Sequence, residues 1–188
     1  MIDVTTPDSP FYRLLSTKYA AEREAEALTI LGQHPELATL SWPGPDQQGL
    51  PFVQGSTALH YAANDGKLLL MARLVELGAD IDANGANWFR SVLSWAANGA
   101  RVEAVEWLLA RGEAPQALDA MHAAAWGGSR SGADPSKDYV GVMQRLLAAG
   151  ADINDRRHHN GNTPLTVALA SGHRRAIDFL RANGGVSD

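Results

Sequence analysis

The chain is expected to fold as an all-α solenoid, a stack of helix-turn-helix units with protruding loops. Three observations predict it. First, four blocks share one template: 57–63 (TALHYAA), 91–97 (SVLSWAA), 119–125 (DAMHAAA) and 163–169 (TPLTVAL). Second, a glycine closes each unit: Gly78, Gly112, Gly150 and Gly184. Third, the positions seven, four and three before those glycines carry an apolar stripe, the spacing of one helix face. The stripe reads Met71/Leu74/Val75, Val105/Leu108/Leu109, Met143/Leu146/Leu147 and Ile177/Leu180/Arg181.

The template specifies each element. Thr57, Ser91, Asp119 and Thr163 are residue types whose side-chain oxygen accepts an unpaired N–H of a helix's first turn, so each is expected to begin a first helix. Pro164 suits the first helical position, where a missing N–H costs nothing. Ala62/Ala63, Ala96/Ala97 and Ala124/Ala125 are small enough for first helices to stack closely. The closing glycines can take the left-handed conformation that ends a second helix. Arg181 interrupts the stripe in the last unit, which fits an end without a neighbour.

Upstream, 11–21 and 25–33 read as two helices of a degenerate capping unit, with Ala27, Ile30 and Leu31 at stripe positions and Glu22, Arg23, Glu24 and Glu26 facing water. The segment 41–54 contains Pro43, Pro45 and Pro51 and reads as a long loop. The expected division is 1–54 for the cap and loop and 55–188 for the array, with units near 55–83, 84–115, 116–155 and 156–188.

The best-matching stretches are 55–63 (GSTALHYAA) with 78–83 (GADIDA), 161–165 (GNTPL) with Ala168, Gly172 and His173, and 150–154 (GADIN). In these the chain resembles the ankyrin repeat family from about Gly55 to Gly185, in about four matching repeats. The resemblance implies that finger loops and first helices line a concave groove that holds a partner. It also implies that His60 and His122 bond the backbone of neighbouring units rather than act in catalysis.

Two departures from the template fall in the middle. From His60, Ser94, His122 and Thr166 to the closing glycine the spacing is 18, 18, 28 and 18, so the third unit carries an insertion near 129–138. From Gly78 to Ser91 and from Gly150 to Thr163 it is 13, but from Gly112 to Asp119 only 7. One finger is therefore shortened, and a notch is expected in the groove.

The candidate partner-binding residues cluster there. Trp88, Phe89 and Arg90 belong to the preceding finger, and His158 and His159 to the following one. Trp95, Asn98, Trp126, Asn64 and Asp65 come from first helices, and Arg130 from the insertion. Trp126 holds the position occupied by Asn64, Asn98 and Ala170 in the other units. Exposed aromatics can anchor an interface. The alternative for Trp95 is packing between helices, as for Tyr61, Ala123 and Val167. Trp88 and Phe89 either fold inward against Phe52 and Trp42 or form a sticky tip.

Bulk composition narrows the function classes. The chain has 188 residues, 45% hydrophobic and 20% charged, with mean hydropathy −0.19 and no apolar run long enough to span a bilayer. No cysteine is present, which excludes disulfides and thiol catalysis but says nothing of compartment; the N-terminus lacks a basic-then-apolar leader, and a cytoplasmic protein is expected by default. Net charge is −5, all of it in residues 1–98, which argues against nucleic acid as partner. Arg156, Arg157, His158, His159, Arg174 and Arg175 read as a solvated rim.

His158 and His159 with Asp152 and Asp155 lack a third ligand at zinc spacing, so no metal is expected. The stretch 127–132 (GGSRSG) lacks the Gly-Lys-Ser/Thr ending of a phosphate-binding loop. No cofactor and no catalysis are expected. The leading reading is a monomeric array that binds another protein through its concave groove. The alternative is a small-molecule or catalytic pocket at the notch, lined by Trp95, Trp126, His122 and Arg90. A third reading, a structural subunit or an inhibitor of a basic partner, rests on the acidic N-terminal half alone.

Overall fold

The computed structural model describes residues 6, 9–16, 23–44, 52–85, 91–111, 117–127, 137–157 and 160–187. Among them, α1 (Pro10–Ser16), α2 (Glu24–Gln33) and a short 3-10 helix (Pro35–Thr39) precede four helix pairs. The pairs are α3 (Ala58–Asp65) with α4 (Leu68–Glu76), α5 (Val92–Asn98) with α6 (Val102–Leu109), α7 (Ala117–Gly127) with α8 (Tyr139–Ala148), and α9 (Pro164–Ser171) with α10 (Arg174–Ala182). First helices α3, α5, α7 and α9 pack in one row and second helices α4, α6, α8 and α10 in a looser one. The fold is an all-α solenoid, as the template predicts, and no described helix is long and apolar enough to cross a membrane.

The sequence signals become the expected contacts. Ser91 Oγ accepts the Ser94 N–H at 3.1 Å, and Thr163 Oγ1 accepts the Thr166 N–H at 3.2 Å. At Thr57 the backbone N–H donates to His60 Nδ1 at 3.1 Å, so a histidine closes the first turn of α3. Met71, Leu74, Val105, Leu108, Met143, Leu146 and Leu180 are buried, while Arg181 is exposed. The paired alanines are buried between first helices. That row can therefore close up more tightly than the row of second helices. Gly78, Gly150 and Gly184 have φ of 93°, 93° and 87°, the left-handed closure expected of them. Gly112 lies outside the described residues.

Two expectations are corrected. Asp119 does not begin its helix: α7 starts at Ala117, so Asp119 sits within the first turn, where its carboxylate still faces the positive helix end. Glu24 does not face water: its Oε1 accepts the Leu70 N–H on α4 at 3.0 Å. Glu26 pairs with Arg13 on α1 at 3.0 Å. Both contacts are tertiary and leave no local sequence signal.

The loop after the 3-10 helix is anchored by aromatic rings. Trp42 and Phe52 are buried, with centroids 5.1 Å apart, and Phe52 meets Tyr12 at 4.9 Å and Tyr61 at 5.8 Å. All are edge-to-face arrangements, favourable for aromatic quadrupoles. They join the N-terminal helices to the first pair.

At the other end, Asn154 holds the tail. Its Nδ2 donates to the Gly184 carbonyl at 3.1 Å, and its Oδ1 accepts the Val186 N–H at 2.8 Å. Thr163 Oγ1 donates to the Val186 carbonyl at 2.6 Å.

Candidate functional site

Asn64, Asn98 and Trp126 stand at the same register position of α3, α5 and α7, four residues after His60, Ser94 and His122. The structure leaves all three partly exposed. Trp126, like Trp95, is partly buried and packs against the core. Asp65 follows Asn64. Its Oδ1 accepts from Asn64 Nδ2 at 3.2 Å, and its Oδ2 lies 3.6 Å from Lys67 Nζ. Burial pushes the Asp65 carboxyl above its ordinary value, opposed by the charges of Lys67 and Arg101 and by the hydrogen bond from Asn64.

Trp95 lies elsewhere. It is half-buried, edge-on to His60 at 5.3 Å and to Tyr61 at 4.9 Å, and it extends the aromatic chain from Phe52 into the second unit. Much of its ring is engaged in packing between α3 and α5. Trp88, Phe89, Arg90, Arg130, His158 and His159 lie outside the described residues. Arg156, Arg157, Arg174 and Arg175 are exposed, and Arg157 Nε donates to Asp155 Oδ1 at 2.8 Å.

Of the two histidines, His122 acts as the resemblance implies, while His60 bonds Thr57 within its own unit. His122 is fully buried, and its Nε2–H donates to the Asn162 carbonyl at 2.9 Å, tying the third unit to the finger of the fourth. A carbonyl only accepts, so the proton is on Nε2. In the second and fourth units the equivalent hydroxyls bond locally, Ser94 to the Ser91 carbonyl at 2.7 Å and Thr166 to Thr163 at 3.0 Å.

A second set of contacts between units sits at the opposite end of the first helices. Helix ends leave carbonyls without an internal partner. Here the next unit supplies the donor. Arg101 Nε donates to the Asn64 carbonyl at 3.0 Å, and the Tyr139 hydroxyl to the Asn98 carbonyl at 3.3 Å. His173 Nδ1 and Ser171 Oγ donate to the Ala125 carbonyl at 3.4 Å and 3.3 Å. His173 also stands edge-on to Tyr139 at 5.0 Å, and burial holds its pKa below the ordinary value.

Two of these donors, Arg101 and Tyr139, line a half-open cavity of about 240 Å³ together with Asn64, Asn98, Gly99, Gly127 and Lys137. Sequence reasoning identified the two asparagines but missed Arg101, Lys137 and Tyr139. A signal existed: Lys67, Arg101 and His173 all directly precede a second helix, and Lys137 stands two residues before α8.

Comparison with known proteins follows the same repeat pattern. A family model described as ankyrin repeats (3 copies) matches residues 19–119, and one described as ankyrin repeats (many copies) matches 136–181. Residues 120–135, which include part of the insertion, fall between the two matches. The chain is 35% identical over 133 residues to the B-cell lymphoma 3 protein homolog of Mus musculus, covering 68% of this chain and 27% of that protein. It is 29% identical over 155 residues to the ankyrin repeat and KH domain-containing protein mask-1 of Caenorhabditis elegans, covering 69% of this chain and 6% of that protein. The chain thus spans about a quarter of the first relative and a small fraction of the second.

Proposed function

The chain belongs to the ankyrin repeat family, and from that premise we propose that it docks another protein against the face formed by its first helices. Ankyrin repeats are generally protein-interaction modules. The observation that carries the finer reading is the alignment of Asn64, Asn98 and Trp126 at one register position, each partly exposed. An accessible tryptophan flanked by amides offers desolvatable area and hydrogen-bonding groups together, the composition of an interface anchor. Trp88, Phe89, Arg90, Arg130, His158 and His159 extend the same surface in this reading. A monomeric array suffices for it.

The contacts favour this over the small-molecule or catalytic alternative. His122 is enclosed and committed to the Asn162 carbonyl, and Trp95 packs on Tyr61. Neither is presented to a substrate. The test is affinity capture from the native cell, with Trp126→Ala beside the unaltered chain. We expect Trp126→Ala to melt at nearly the same temperature and to lose the partner. Equal capture by both chains removes the first-helix face as the docking surface.

A further inference from the structure

The cavity between α3, α5 and the start of α8 has a charge pattern that docking alone does not require. Among the described residues its lining contains two cations, Arg101 and Lys137, and no carboxylate. Arg101 is fixed in place because its Nε donates to the Asn64 carbonyl. Among the described residues, its two Nη groups have no hydrogen-bond partner. Lys137 Nζ has no ion pair there either. Among those same residues the Asn98 side-chain amide has no hydrogen-bond partner, and Asn64 Nδ2 donates to Asp65 alone. Of the described carboxylates nearby, Asp65 lies beside Lys67 and also feels the charge of Arg101, and Asp138 Oδ1 accepts the Gly141 N–H at 2.8 Å.

We propose that this cavity receives a single carboxylate presented by a polypeptide, either an Asp or Glu side chain or a chain terminus. The inference rests on the protein-docking reading and names the chemistry that docking would recognise. A guanidinium held by its Nε still offers its Nη hydrogens, and charge-assisted bonds of that kind are the strong ones. Lys137 adds a second positive charge to the lining, and the two asparagine amides add neutral donors. A cavity of about 240 Å³ admits one carboxylate with a few waters. The overall charge of −5 disfavours a multiply charged ligand such as phosphate.

The experiment is a titration of the full chain at low ionic strength, followed through the amide NMR signals of Gly99 and Gly127. Four probes are used: acetyl-Ala-Glu-Ala-amide, acetyl-Ala-Ala-Ala with a free terminus, acetyl-Ala-Gln-Ala-amide, and inorganic phosphate. Saturable shifts with one or both carboxylate peptides and none with the glutamine peptide are expected. Whichever of the two binds identifies the source of the carboxylate.

Lys137→Gln should weaken that binding roughly tenfold or more, the range for one hydrogen bond to a charged group. Arg101→Gln should weaken it more. Because Arg101 also caps α3, Lys137→Gln is the variant that reads binding apart from folding. No shift with either carboxylate peptide, shifts with phosphate alone, or equal affinity in Lys137→Gln would each overturn the proposal. Trp126 is outside the lining, so the two readings separate. Carboxylate binding that depends on Lys137, with partner capture unchanged in Trp126→Ala, keeps the cavity and removes the groove. The opposite pair of results removes the cavity and keeps the groove.

Discussion

Glu24 of α2 caps a helix that begins far along the chain, its Oε1 accepting the Leu70 N–H across 46 residues. Lys67, which precedes α4, makes no side-chain cap of its own. The first repeat therefore borrows its cap from the N-terminal helices. Glu24→Ala should lower the unfolding free energy by about 1 kcal/mol, the usual loss for a missing N-terminal cap. Glu24→Gln should retain most of it, because the amide oxygen still accepts. Urea denaturation measures both, and an unchanged midpoint in Glu24→Ala would show that the contact contributes nothing.

Gly99 and Ala100 should respond with opposite signs. A Cβ on Gly99 would collide with the Asn64 carbonyl, a backbone atom that cannot step aside. The glycine is therefore fixed one position early, and the left-handed place falls to Ala100, with φ of 57°. The equivalent places in the first and last units are Gly66 and Gly172, with φ of 73° and 71°. Ala100→Gly should stabilise by about 0.5–1 kcal/mol, the relief of left-handed strain less the added unfolded-state entropy. Gly99→Ala should destabilise by roughly 2 kcal/mol or more, since a backbone shift is required. Thermal melts of the two variants decide it, and a shift of the same sign in both would contradict the geometry.

Acid should loosen the last pair through His173. Burial lowers its folded pKa, the neighbouring Arg175 lowers it further, and the Ala125 carbonyl opposes both. The unfolded chain thus binds the proton more readily than the folded one. The contribution of this group is intact above the unfolded value of 6.5 and is lost as the pH falls below it. Stability measured from pH 7.5 to 5.5 should fall more steeply in the native chain than in His173→Asn. Parallel curves would assign the acid sensitivity to other groups.

The two tryptophans of the first-helix row should separate by role. Trp95→Ala removes a ring packed on Tyr61 and His60 and should cost about 3–5 kcal/mol, the loss for a large buried aromatic, or somewhat less given its partial exposure. Trp126→Ala should cost under about 1.5 kcal/mol, nearer the range of surface changes. Equal losses of melting temperature would place Trp126 in the core with Trp95.

Much of this fold was legible because its signals are local. A helix cap such as Ser91, a closing glycine such as Gly150 and a stripe such as Val105/Leu108 lie within a few residues of what they specify. The cap from Glu24 and the donors Arg101, Tyr139 and His173 were not legible, because each reaches a carbonyl or N–H in another unit. Asp119 misled for a related reason. It is a good capping type, but with the finger before it shortened the helix starts at Ala117 and takes that residue into its first turn. The site was half legible: register placed Asn64, Asn98 and Trp126 together, while the cations around the cavity needed the neighbouring unit in place.

The donors to the helix-end carbonyls all run one way. Arg101 serves Asn64, Tyr139 serves Asn98 and His173 serves Ala125, so each unit is completed by the one after it. Domains emerge from the ribosome N-terminal part first. A nascent chain halted after Asn98 would hold α5 with its end carbonyl still bonded to solvent until α8 was synthesised. Consolidation must then lag translation by about one unit along the array. The first pair is also helped from behind, by Glu24, which gives the growing stack an early footing.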